Sequence, residues 1–386
     1  MTGSFGNTPG DINEDFLQER VMIKAPASPD GAGASLAKLL IPLLIPFLFM
    51  LLIVPTGYLL ESPGSSFDLQ GGLEVEGAET YPVEGELLLT SVSLQESRLI
   101  YNLISLFDDS FEFIKVRDYL GEELDVEEQD VVDIVITFLS QDTAVVAGLR
   151  EVGEAVEVSG LGAFVAAVAP DYPAYGVIDP GEVIVEVNGT AVENTDAFGK
   201  AINAAPEGES VELQVKEIDA ELAKEFNEEV EEGTMQRPDL SELLGEGTRE
   251  VQLQPVYEPE LEKRIIGISS RDYFAYASQV EVDWELETVK GPSAGMMMTL
   301  SLFNALTPED LTMGEVIAGT GEITLDGDVG PIGGLPYKIR AAEREGATLF
   351  IYPVENEDEL EGFSTNIELY GVDTLDDAIE FLQGRL

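Results

Sequence analysis

The segment Gly291-Pro292-Ser293-Ala294-Gly295-Met296-Met297-Met298 decides how the C-terminal part of this chain is read. Its serine stands where strand character ends and an apolar run of helical spacing begins, so its hydroxyl is expected at a helix N-terminus, beside backbone N–H groups that the helix leaves unpaired. Donors of that kind can hold a developing oxyanion. Working outward, segments of strand character (264–269, 280–288, 316–325, 348–352) alternate with helical ones (293–305, 335–345, 375–382). Such alternation means an α/β domain. Alone, Ser293 would be no more than a helix cap, and the three methionines after it read as helix-core residues.

A serine hydroxyl becomes a nucleophile only with a base beside it. The chain has no His and no Cys, which removes the imidazole base, thiolate nucleophiles, disulfides and most zinc and transition-metal sites. Lysine is the natural remaining base. It serves only as a free amine near neutrality, so its pKa must fall by about 2–3 units from ~10.4, at a cost of roughly 3–4 kcal/mol. Burial against apolar side chains supplies such a shift. Lys338, in Gly333-Gly334-Leu335-Pro336-Tyr337-Lys338-Ile339, is flanked by Tyr337 and Ile339 in a chain poor in basic residues. It is the best candidate for a desolvated amine.

In order and spacing, Gly291-Pro292-Ser293-Ala294-Gly295, Gly319-Thr320-Gly321-Glu322-Ile323-Thr324-Leu325-Asp326-Gly327-Asp328-Val329, Gly330-Pro331-Ile332-Gly333-Gly334 and Lys338 resemble the proteolytic domain of Lon peptidases, over residues 262–386. The resemblance implies Ser293 as nucleophile, Lys338 as general base and Thr320 as a hydroxyl that orients the amine; at the helix N-terminus, the N–H groups near Ser293 and Ala294 are expected to support the oxyanion. Lys290 departs from that family, which carries a small or acidic residue there. A second cation at this point would either depress the Lys338 pKa further or remain solvated. No Gly-x4-Gly-Lys-[Ser/Thr] loop occurs, so the ATPase module of full Lon is missing; no cofactor or metal is expected.

Upstream, short strands are expected at 163–168, 182–187, 210–215 and 249–254, with a short helix over 195–204 capped by Thr195. Gly160-Leu161-Gly162-Ala163-Phe164 and Asp179-Pro180-Gly181-Glu182-Val183-Ile184, followed by Val187-Asn188-Gly189, resemble a PDZ domain, with Glu182 where an Asp is usual. That resemblance implies a carboxylate-binding loop at Gly160, Leu161, Gly162, Ala163 and Phe164 leading into a strand, beside which a peptide adds as a further strand. The alternative is a hairpin whose glycines only turn the chain. An acidic stretch, 217–247, interrupts the module as a helical, solvated excursion. A strand over 85–94 and helices over 99–107 and 127–149 precede it.

The stretch from Leu39 to Leu60 carries no charge and would reach about 33 Å as a helix, enough for a bilayer core. Arg20, Lys24 and Lys38 precede it and no basic residue follows before Arg98, which places 1–38 in the cytoplasm and the rest outside. Expected, then, is an α/β Lon-type proteolytic domain with an inserted β-rich PDZ domain and one N-terminal transmembrane helix. The divisions are a disordered tail (1–38), the span (39–60), a linker with an N-terminal α/β segment (61–150), PDZ (151–258) and the protease (262–386). The chain as a whole resembles PDZ-containing, membrane-bound Lon-like peptidases. These imply polypeptide substrates, a membrane as partner, and protomers that either close into a ring or act singly.

Of the 386 residues 75 are acidic and 20 basic, a net charge of −55. Nucleic acid and anionic lipid are poor partners for such a surface, which reads as a solvated coat suited to high salt. Two other readings remain: an inactive scaffold that tethers partners through its PDZ module, and an acidic metal-binding protein.

Overall fold

The computed structural model describes residues 46–106, 112–116, 126–231, 239–284 and 290–385. Residues 46–53 are helical, and their apolar side chains other than Leu51 stand exposed, Phe49 at 63%. The transmembrane helix expected over 39–60 is corrected at its end. Pro55 opens strand β1 (Pro55–Asp68), and Leu60 is fully buried at 0% exposure. Proline lacks the N–H a helix needs and disfavours helical backbone at the residue before it. Residues 1–45, with the tail and the start of the expected span, lie outside the described residues.

Strands β2 (Leu73–Glu76), β3 (Glu86–Arg98) and β4 (Glu112–Lys115) follow, then helix α1 (Val126–Glu151). The helix expected over 99–107 is Leu99–Ile104. Helix α1 is apolar nearly all round, as a helix enclosed by protein must be. Within it Glu128–Glu151 is, among the described residues, the one helix long and apolar enough to cross a membrane. It is 83% buried inside the protein, which makes it a core helix.

The β-rich module comprises β5 (Val156–Val168), β6 (Val183–Val187), α2 (Thr195–Asn203), β7 (Val211–Lys216), α3 (Ala220–Glu231), β8 (Arg249–Leu253) and β9 (Ile268–Ser278). Its sheet runs β9-β5-β6-β7-β8 with every pair antiparallel. Helix α2 is capped by the Asn194 side chain, which accepts from the Ala197 N–H, so the cap lies one residue before the expected Thr195. Within the acidic stretch 217–247, α3 and the turn Leu240–Leu243 are helical but not merely solvated. Ala223, Phe226, Leu240 and Leu243 are buried in one core with Val131, Val135 and Leu139 of α1. Glu182, the substitute for the usual Asp, is buried against the Arg249 guanidinium at 2.6 Å and accepts the Asp179 N–H at 3.0 Å.

The rest of the chain forms β10 (Glu281–Trp284), α4 (Gly295–Leu306), β11 (Val316–Gly319), β12 (Glu322–Ile323), α5 (Leu335–Arg344), β13 (Leu349–Pro353), β14 (Glu368–Val372) and α6 (Leu375–Gln383). Its sheet, in the order β14-β13-β11-β3-β1-β4, draws strands from both ends of the chain, with β3, β11, β13 and β14 parallel. The C-terminal domain therefore does not begin at 262 as expected. Strands β1–β3 belong to it, and β2 also pairs with β10. The β-rich module is an insertion between its two parts. Helices α1 and α4 fill the space beside this sheet, with Ala144, Val145 and Leu149 packed in one core with Met296, Met297 and Leu300.

Candidate active site

Ser293 sits in a single 3-10 turn, Pro292–Ala294, that leads directly into α4, so the regular helix begins two residues later than expected. Gly291 enters that turn at φ 99°, a conformation that side-chain-bearing residues rarely adopt. Pro292 presets the first helical φ. Helix α1 fixes the turn from the side: the Thr137 hydroxyl accepts the Gly291 N–H at 2.8 Å, and the Ser140 hydroxyl donates to the Pro292 carbonyl at 3.1 Å. The N–H groups of Ser293 and Ala294 lie in a first turn, where a helix leaves donors free.

Lys338 is in the first turn of α5, which begins after Gly334 at φ 71°. A side chain at Gly334 would run into Glu61 and Val92, so both the backbone angle and the close approach require glycine there. The buried face of α5, with Leu335, Ile339 and Ala342, carries Lys338 inward until it is only 3% exposed. Its Nζ reaches Ser293 Oγ at 2.6 Å and Thr320 Oγ1 at 3.0 Å. Thr320, fully buried where β11 ends, donates its own hydroxyl to the Ser293 carbonyl at 3.0 Å. That carbonyl also accepts the Gly321 N–H at 3.0 Å. The strand expected to run through 325 stops at Gly319 because the chain turns here to meet the serine.

Burial lowers the Lys338 pKa to about 8, against an upward pull from the carboxylates of Glu61, Glu322 and Glu359. Desolvation wins because an ammonium ion loses more by leaving water than three partly solvated carboxylates return. Glu61 is itself raised by burial first, then by Glu112 and Glu359, while Lys338 pulls it down. Nothing in the sequence marks Glu61, Glu322 or Glu359 as neighbours of the lysine, since they come from a distant strand, a two-residue strand and a turn. Lys290 is half-exposed and pairs with Asp130 at 2.5 Å, so it is neither a free cation beside the nucleophile nor simply solvated. Among the described residues no group of three or more carboxylates converges on a metal site.

Comparison with known proteins covers the region that holds these residues. Residues 285–382 match the Lon protease (S16) C-terminal proteolytic domain, and residues 164–217 match a PDZ domain. The chain carries a Lon-type proteolytic domain. The region is 41% identical over 93 residues to Lon protease 1 of Sorangium cellulosum, 23% of this chain and 11% of that protein. It is 43% identical over 96 residues to the Lon protease of Porphyromonas gingivalis, 25% of this chain and 11% of that one. With Lon protease 2 of Bacillus subtilis it shares 37% over 92 residues, 24% of this chain and 16% of the relative. The chain thus spans a small part of the length of those proteins, and the likeness lies in the Lon-type domain that holds Ser293, Thr320 and Lys338.

The PDZ residues are differently placed. Gly160, Leu161, Gly162, Ala163 and Phe164 lie inside strand β5, not in a loop before it. Strand β9 runs antiparallel along β5 from Val156 to Val168, pairing Phe274 with Gly160, Tyr273 with Gly162 and Asp272 with Ala163. The edge that a peptide strand would join is therefore taken by this chain's own strand. The peptide-binding expectation for these five residues is corrected accordingly, because an edge pairs with one strand at a time.

Proposed function

We propose that the chain is a serine endopeptidase in which Lys338 is the general base for Ser293. The observation that carries this reading is the 2.6 Å contact between the serine hydroxyl and a buried amine whose pKa is brought down to about 8. Close to neutrality a useful fraction of that amine is free. It takes the proton as Ser293 Oγ bonds to the peptide carbonyl carbon. The N–H groups of Ser293 and Ala294 face the oxygen that gains charge. The ammonium returns the proton to the leaving amine as the C–N bond breaks, and water then cleaves the ester by the same route. Thr320 holds the amine in line and ties it to the serine backbone.

Polypeptides are the substrate class, and the work proceeds without ATP. The apolar stretch that ends at Val54 anchors the chain in a membrane, with residues before Lys38 in the cytoplasm and the folded part outside. Support for that anchor comes from the exposed apolar helix 46–53 and the basic residues before it. Substrates are then unfolded or membrane-proximal chains. A scaffold that tethers partners at the β5 edge gains nothing from a structure in which β9 holds that edge.

The test uses the full chain in detergent micelles, with an unstructured protein as substrate and no nucleotide. Cleavage that disappears in Ser293→Ala supports the assignment; equal cleavage by both forms refutes it.

A further inference from the structure

Strand β9 carries a pair of adjacent residues that face opposite ways. Asp272 accepts hydrogen bonds from the Thr195 N–H at 2.8 Å and the Thr195 hydroxyl at 2.6 Å, at the start of α2. Side chains alternate along a strand, so fixing Asp272 on the PDZ helix directs Arg271 to the other side. There its guanidinium grips Glu322 at two points, 2.6 and 2.7 Å. A fork of two parallel charge-assisted bonds fixes direction as well as distance. Glu322 lies two residues beyond Thr320. Arg271 and Glu322 also line a cavity of about 160 Å³ whose wall includes Pro292, the residue before the nucleophile.

We propose that Arg271 is a positioning residue for the dyad: it holds Glu322 and masks that carboxylate's charge beside Lys338. The inference rests on the dyad reading above and adds a residue supplied by the PDZ sheet. Three carboxylates face the amine: Glu61 on β1, Glu322 on β12 and Glu359 on the turn Val354–Leu360. Glu359 is occupied by the Leu335 N–H and the Asn356 amide. Among the described residues, Glu322 is the one of the three that another cation clasps. Without Arg271 its full charge would favour the protonated amine, and the base would be free only at higher pH. Both partners are partly exposed, so screening keeps the effect moderate.

The experiment compares rate against pH for wild type, Arg271→Gln, Arg271→Lys, Glu322→Gln and the double variant. Arg271→Gln should move the midpoint up by about half a unit, about threefold less free amine below the midpoint, with activity recovered at alkaline pH. Arg271→Lys should restore part of the shift. Glu322→Gln should move the midpoint down, and adding Arg271→Gln to it should change nothing further, since two residues acting through one contact are not additive. A uniform loss across all pH values, or an Arg271→Gln shift that persists beside Glu322→Gln, overturns the proposal.

A second readout is independent of peptide hydrolysis. In Ser293→Ala, the rate at which Lys338 reacts with an amine-selective reagent is followed against pH by mass spectrometry. The same half-unit shift on losing Arg271 supports the pair, and an unmoved titration sinks it. Should wild type cleave nothing, the dyad reading fails while this measurement still decides the present one.

Discussion

Two lysines border the candidate nucleophile, and their surroundings differ in the property that matters for chemistry. Lys338 is 3% exposed and touches two hydroxyls. Lys290, three residues before Ser293, keeps 39% of its side chain exposed and rests on a surface carboxylate, Asp130, itself 45% exposed. Three acidic neighbours pull the first lysine toward its charged form, yet its pKa falls to about 8, because burial is the larger effect. The second has a carboxylate at 2.5 Å and water at hand. Proximity to the serine therefore does not make a base; removal from water does.

Replacing Lys338 by Met should break the comparison most completely. Without the amine the rate should fall at least 10³-fold, while stability at pH 7 should rise. The sign follows from linkage. The folded-state pKa of about 8 lies below the unfolded value near 10.5, so the folded state binds the proton less readily. Below pH 8 both states are protonated and the folded one bears the full penalty, about 3 kcal/mol at 1.36 kcal/mol per unit. The penalty shrinks as pH rises from 8 toward 10.5. Lost hydrogen bonds to Ser293 and Thr320 offset part of the gain, leaving roughly 1–3 kcal/mol. Denaturant unfolding of wild type and Lys338→Met at pH 7 and pH 10 checks this: the gap should narrow at the higher pH. A variant less stable than wild type at pH 7 would show that the amine is not desolvated at a cost.

Thr320→Val sharpens the comparison at the level of orientation. It keeps the shape and removes one contact to the amine and one to the Ser293 carbonyl. That carbonyl retains the Gly321 N–H, so the fold should survive with a loss near 1–2 kcal/mol. The amine would lose one of its two guides. A fall in kcat of about 10- to 100-fold with KM little changed is expected from steady-state kinetics. A change confined to KM would place Thr320 in substrate binding instead.

The side-chain site was legible because its ingredients are residue types in a chain that offers few alternatives: no histidine, a serine at a helix entrance, and a lysine on the buried face of a helix. What brings them together, a turn of β11 into Thr320 and the clasp of α1 on Pro292, is tertiary and carries no local signal. The PDZ edge failed for a related reason. Gly160 and Gly162 read as a loop that receives a carboxylate or as a turn, but both lie within β5, and the strand paired along them, β9, comes more than a hundred residues further on. A backbone site depends on its neighbour, and a motif records only one side of it. The apolar stretch that ends at Val54 shows the third limit. Hydropathy runs smoothly through Pro55, and only the strand β1 that begins there reveals that Leu60 is buried inside the protein.

Lys290→Gln should have the smallest effect, and for that reason it is the control that gives the comparison its meaning. Its pair with Asp130 is open to water, where such contacts contribute about 0–1 kcal/mol. Asp133, raised by burial first and hydrogen-bonded by Gln129, feels Lys290 as a lowering influence. Neutralising Lys290 should therefore raise Asp133 somewhat further. Stability should change by less than about 0.5 kcal/mol, and the rate midpoint should stay where it is. If instead the midpoint moved up, the cation would be repelling the proton from Lys338. The low pKa would then owe as much to a neighbouring charge as to the dryness of the pocket.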